Sequence, residues 1–279
     1  GMTRAALTVR AEAHNTTGRP VTAEITAKVA GLTARTRVRL AARETATVTL
    51  ADLVVDKPKV WWPWQLGDQP LYRLDLRAES GGRLSDTAQV EFGIRHVRST
   101  VDDHGARRFE INGVPLLIRG AGWSSDLLLR TDPQRLADEL TYARDLGLNT
   151  LRLEGKLEGD ELYRLADRLG LLLLPGWECC SKWERYDTFT AEDRRIAQES
   201  MRSEALRIGS HPSVIGFLIG SDKAPPADLE QAYLEALHAA DWDLPVIAAA
   251  GGLSGAATGP SGMKMLGPYW WVPPVYWYA

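Results

Sequence analysis

Val214-Ile215-Gly216-Phe217-Leu218-Ile219-Gly220-Ser221-Asp222 is an unbroken apolar run that ends in a carboxylate. Strands covered on both faces lose the polar alternation of surface strands, so the run reads as a buried parallel strand. In a (β/α) barrel the chemistry sits where such strands end, and Asp222 falls there. Taken alone, Asp222 could equally cap the next helix. A helical segment over 192–208, closed by Gly209-Ser210-His211-Pro212, precedes the run, and Pro225-Pro226 leads into another helix after it.

Working outward, the same alternation continues on both sides and predicts βα units with a parallel sheet. Strand one is expected over 116–120. A helix follows, opened by Thr131-Asp132-Pro133 and closed by Gly147. Strand two covers 150–154, and a helix over 160–169 ends at Gly170. Strand three covers 171–174 and runs into Pro175-Gly176-Trp177-Glu178. Strand four is the opening run, strand five covers 245–249 after a helix over 226–240, and strand six falls near 263–266. A closed barrel of this kind has eight strands. The expectation is therefore an incomplete (β/α)8 TIM barrel with about six of its eight strands, and a chain that is a fragment. A complete open α/β sheet is the alternative.

Residues 7–98 read differently. Apolar and polar residues alternate over 7–12, 21–29, 33–40, 45–50, 71–76 and 88–94. Turn chemistry separates these runs at 15–20, at Ala30-Gly31 and at Ser80-Gly81-Gly82. Six or seven short antiparallel strands suggest an all-β immunoglobulin-like sandwich. The pattern changes near Ser99, so the expected domains are 1–98 and 99–279.

Composition bounds the rest. The chain has 279 residues, enough for two domains, and its 44% hydrophobic and 25% charged content is that of a globular protein with a sizeable core. A net charge of −3 with interspersed signs argues against a nucleic-acid partner. No run reaches the length of a membrane span. The Gly1-Met2 start reads as a processed expression tag, so the native compartment cannot be read from this sequence, nor can oligomeric state. The two cysteines, Cys179 and Cys180, are adjacent and make neither a long-range staple nor a metal motif; they are expected to be small buried residues. Of the ten tryptophans, Trp61, Trp62 and Trp64 read as core or interface, while those near strand ends could stack on sugar rings.

Three carboxylates follow strand ends: Glu154, Glu178 and Asp222, with Asp126 a few residues past strand one. Barrel topology would converge them on one pocket, where clustered acids shift each other's pKa and can separate into a proton donor and an ionised partner. Glycoside hydrolysis needs such a pair. A cap or an ion pair with a neighbouring arginine is the competing reading for each acid, and weighs most for Glu178 and Asp126.

These residues also carry a family resemblance. Glu91-Phe92-Gly93-Ile94-Arg95, Ile111-Asn112-Gly113-Val114-Pro115, Arg119-Gly120 and Leu148-Asn149-Thr150-Leu151-Arg152-Leu153 resemble the sandwich-to-barrel junction of glycoside hydrolase family 2. Arg152-Leu153-Glu154-Gly155, Pro175-Gly176-Trp177-Glu178-Cys179-Cys180 with Lys182-Trp183-Glu184, and Gly220-Ser221-Asp222 are most similar to its exo-β-D-glucosaminidase branch. So are Ser261-Gly262-Met263-Lys264-Met265 and the aromatic stretch beginning Gly267-Pro268-Tyr269. The resemblance implies a retaining hydrolase that releases glucosamine from chitosan oligosaccharides, without metal or organic cofactor, from a secreted parent enzyme. It makes Asp222 the general acid/base, within a Ser221-Asp222 pair where most of the family has Asn-Glu. Glu154 would receive the substrate's 2-ammonium, and Glu178, Asp126, Trp177, Ser221 and Tyr269 would contact substrate. The family's nucleophile is a Glu late in the barrel, and no acidic residue follows Asp243, so no position is expected to fill that role. The alternatives are another exo-glycosidase of the family, a β-mannosidase or β-galactosidase, or a non-catalytic carbohydrate- or partner-binding protein.

Overall fold

The structure, a computed structural model, describes residues 2–153 and 157–263. It divides into two compact units, one made of the residues up to 61 with 70–94, the other of 62–69 with 95 onward.

The first unit contains, among its described residues, only strands. β1 (Arg4–His14) pairs antiparallel with β4 (Thr45–Asp56). A second antiparallel sheet has the order β3-β2-β5-β6, from β2 (Val21–Val29), β3 (Leu32–Leu40), β5 (Tyr72–Ser80) and β6 (Arg83–Phe92). Alternation decides which face is buried: Val9, Ile25, Ala27, Val29, Val48, Leu50, Leu53 and Leu74 from both sheets form one core. The turns at Ala30-Gly31 and Gly81-Gly82 adopt positive φ, as tight two-residue hairpins demand. Trp61 is fully buried in this unit.

The second unit begins with a three-stranded antiparallel sheet, β7 (Val97–Val101), β8 (Arg107–Ile111) and β9 (Val114–Leu116). The β8–β9 hairpin turns on Asn112 and Gly113, at φ 52° and 78°, which accounts for that motif in backbone terms. It also corrects the expected first parallel strand. Leu116 belongs to β9, and the parallel strand is β10 (Gly120–Trp123), which pairs with β11 (Thr150–Leu153). β10 carries small residues because β11 lies so close: a Cβ on Gly120 would sit 2.9 Å from Thr150 O. Asn149, 1% exposed, fastens the pair, accepting from Arg119 N–H and donating to Leu117 O, each at 2.8 Å.

From β10 onward, five parallel strands lie side by side in chain order. β11 pairs with β12 (Leu172–Leu174); parallel bridges Leu173–Val214 and Gly176–Leu218 join β12 to the segment holding β13 (Phe217–Leu218); β13 pairs with β14 (Val246–Ile247). Helices connect them: α1 (Pro133–Asp145), α2 (Asp160–Leu169), α3 (Ala191–Ile208) and α4 (Ala227–Ala239). Asp132 caps α1 with Pro133 following, and Thr190 and Asp193 form a reciprocal capping box on α3. α3 buries Ala197, Met201, Ala205 and Ile208, and α4 buries Leu229, Tyr233 and Leu237, each set at helical spacing. The strands between them are buried on both faces, which is why 171–174 and 214–219 are unbroken apolar runs. Each fully buried Leu or Ile contributes about 1.5–3 kcal/mol relative to exposure. The expected sixth strand, near 263–266, lies outside the described residues apart from Met263.

Candidate active site

Five parallel strands place their C-terminal ends on one side, and the turn after β13 lies there. The loop entering this strand is fixed before the chemistry begins. Arg95 donates to Pro212 O at 3.1 Å and Val214 O at 2.8 Å, and burial brings its guanidinium down to about 10. Asp167 accepts from Ser213 N–H at 3.0 Å and meets His211 Nδ1 at 2.6 Å. The exit is equally constrained. A Cβ on Gly220 would strike Lys223 O and lie 2.8 Å from Ala248 O, so the turn closes only around glycine. Ala250 N–H donates to Ser221 O at 3.1 Å.

Ser221 is 1% exposed, and its Oγ accepts from Arg152 Nη2 at 2.7 Å. This joins the end of β11 to the turn after β13. Asp222, next in sequence, is exposed, and its carboxylate points into the space beside the 178–184 loop, with Oδ2 3.8 Å from Cys180 Sγ. That contact is not a hydrogen bond, because Cys180 is joined to Cys179 in a disulfide and has no thiol proton. The expectation of two small buried cysteines is therefore corrected. Cys180, at φ 61°, is exposed and Cys179 is half-buried.

Glu184 connects the two loops; the sequence placed it in the Lys182-Trp183-Glu184 motif but gave it no role. Its side chain is 5% exposed. One oxygen accepts from Cys180 N–H at 2.8 Å, the other from Ser221 and Lys223 N–H at 3.2 Å each. Both oxygens of this buried carboxylate are thus met by amide donors, as burial of a polar group requires. Cys179, Cys180, Glu184 and Asp222 present donor atoms within 4.8 Å of one another. The disulfide offers no thiolate and the Glu184 oxygens are already engaged, so this donor set does not suit a metal ion.

The other expected site residues fall as follows. Trp177 is 4% exposed, its ring edge-on to Trp183 at 6.0 Å and tilted against Tyr233 at 5.6 Å. Glu178 is half-buried on the Cys180 loop and takes a long 3.5 Å bond from Ser181 Oγ. Asp126 is paired with Arg130 at 3.0 Å and Arg135 at 3.2 Å, and the hydrogen bond from Arg130 foremost holds its carboxyl well below the usual range. It lines a groove of about 550 Å³ with Trp123, Ser125, Arg135 and Glu158. There Glu158 accepts from Trp123 Nε1 at 3.2 Å and from Ser125 Oγ. Glu154 and Tyr269 lie outside the described residues. Ser221 and Asp222 thus come together with Arg152, Glu184 and Cys180.

Comparison with known proteins supports the motif-based resemblance. Residues 2–95 match the model of the Glycosyl hydrolases family 2. The chain is 52% identical over 98% of its length to the exo-β-D-glucosaminidase of Streptomyces avermitilis, of which it covers 32%. It is 49% identical, again over 98% of its length, to that of Amycolatopsis orientalis, covering 27% of it. The crystal structure of the Amycolatopsis orientalis exo-chitosanase CsxA superimposes with TM-score 0.94 at 48% identity over 99% of this chain and 33% of the other. A solved structure of one of its variants is a complex with PNP-β-D-glucosamine. The chain therefore spans about a third of the length of these relatives.

Proposed function

We propose that this chain, similar over 98% of its length to the exo-β-D-glucosaminidase of Streptomyces avermitilis, carries the acid/base half of a retaining exo-β-D-glucosaminidase site acting on chitosan oligosaccharides. The observation that carries this reading is Asp222: an exposed carboxylate on a rigid turn at a strand end, beside an open loop. In this reading residues 1–98 are an immunoglobulin-like sandwich and residues 99–279 are part of a (β/α)8 barrel.

Asp222 donates a proton to the glycosidic oxygen as the bond breaks, then takes one from the attacking water. Retention also requires a second carboxylate about 5 Å away. Glu184 is not assigned that task, because its oxygens are filled by amide donors. Glu154 receives the 2-ammonium of the sugar, since a carboxylate–ammonium bond in a dry pocket discriminates strongly against a neutral hydroxyl. An exposed disulfide supports action in an oxidising compartment, outside the cell.

The test is Asp222→Asn in the gene product at its natural length, assayed on a chromogenic β-D-glucosaminide. Turnover is expected to fall ~10²–10⁴-fold with little change in folding. A variant within a few-fold of wild type would remove Asp222 from the mechanism.

A further inference from the structure

The Cys179–Cys180 disulfide is a structural oddity that the acid/base reading leaves unused. It closes a ring between sequence neighbours, so it cross-links no distant parts of the chain. It is nonetheless presented to the exterior beside Asp222, with Cys180 exposed and its Sγ 3.8 Å from the Asp222 carboxylate. We propose that this disulfide is the apolar platform on which the sugar bearing the scissile bond rests while Asp222 protonates it. The proposal deepens the glycosidase reading and rests on it.

Three observations carry the inference. First, position: a carboxyl group donates only within hydrogen-bond reach of the glycosidic oxygen. A sugar placed there lies over whatever surface adjoins the carboxylate, and Cys180 Sγ is part of that surface. Second, chemistry: the joined sulfurs have no proton to donate and are polarisable, so they offer dispersion contact to a C–H face. They do not compete with Asp222 for the leaving oxygen. A pyranose with equatorial substituents has such faces, while its polar edge is free to meet carboxylates. Third, rigidity: Glu184 grips Cys180 N–H with one oxygen and the Ser221 and Lys223 N–H groups with the other. Platform and acid are therefore fixed to one buried carboxylate, so a sugar held on the first lies beside the second. Cys180 has φ 61° and its side chain is exposed.

A contact made equally in the ground and transition states changes KM and leaves kcat alone. In the natural-length gene product, the Cys179→Ala/Cys180→Ala double variant should raise KM for a chromogenic glucosaminide ~tenfold with kcat nearly unchanged. Should that variant fold poorly, reduction of the wild-type protein by a phosphine, with both thiols then open to alkylation, makes the same test. It should raise KM alike, reoxidation should restore it, and the double variant should ignore the phosphine. Complete reduction that leaves KM where it was would overturn the platform, and so would a loss confined to kcat. If the oxidised wild type turns over no glucosaminide at all, the glycosidase reading fails and the platform with it.

Discussion

Arg152 Nη2 donates to Ser221 Oγ at 2.7 Å, tying the end of β11 to the turn after β13 across the intervening β12. The bond crosses 69 residues of sequence and sits directly before the acid, so it braces the site from a strand that does not carry it. Ser221→Ala removes this acceptor from a charged donor in a buried setting. The loss should be about 1–3 kcal/mol of stability, read from denaturant midpoints at constant m-value. An unchanged midpoint would mean the guanidinium finds an equal acceptor in solvent.

Gly220 offers a sharper test of the same turn. An added methyl would meet two backbone carbonyls, Lys223 O and Ala248 O, and neither can swing aside as a side chain could. Gly220→Ala should cost about 1–3 kcal/mol by overpacking, and turnover should drop as the Ser221-Asp222 step is displaced. Wild-type melting and activity in that variant would show the turn to be looser than its contacts suggest.

How much of this was legible beforehand depended on what each residue needs from its neighbours. β12 and the run holding β13 were readable because burial on both faces leaves an unmistakable apolar signature. α1 and α3 were readable because Asp132, Pro133 and Gly209 mark their ends locally. β10 was not, since Gly120-Ala121-Gly122 owes its composition to the approach of Thr150, thirty residues on, and the apolar run just before it was spent on a hairpin. Asp222 stood out by its place at a strand end. Glu184 could not, because its role exists only once Cys180 and the 221–223 turn, 37 residues away, are brought to it.

Acid should weaken the helix start that supports the disulfide loop. Asp193 accepts from Lys182 Nζ and from the Thr190 amide and hydroxyl, and the Lys182 bond above all holds its carboxyl down at about 2. A carboxyl depressed in the folded state stabilises above its ordinary value near ~4, and that contribution fades as pH falls toward the folded value. The gap in stability between wild type and Asp193→Asn should therefore be full near neutrality and close on acidification through that interval. A gap that stays constant with pH would show that the Lys182 bond is not made in solution.

Glu184→Gln tests the link between the two loops most directly. The wild-type carboxylate accepts on both oxygens, from Cys180 on one side and from Ser221 and Lys223 on the other. A glutamine amide has one accepting atom; its NH₂ must confront amide hydrogens on whichever side it faces. One set of buried donors is then left unsatisfied, at a cost of about 2–3 kcal/mol. Because those donors belong to the residues flanking Asp222 or to Cys180, the two loops should part and kcat should fall together with stability. Glu184→Asp keeps the charge but shortens the reach, so it should recover only part of the stability. Glu184→Gln with the wild-type denaturation midpoint and the wild-type kcat would show that the two loops hold their places without this carboxylate.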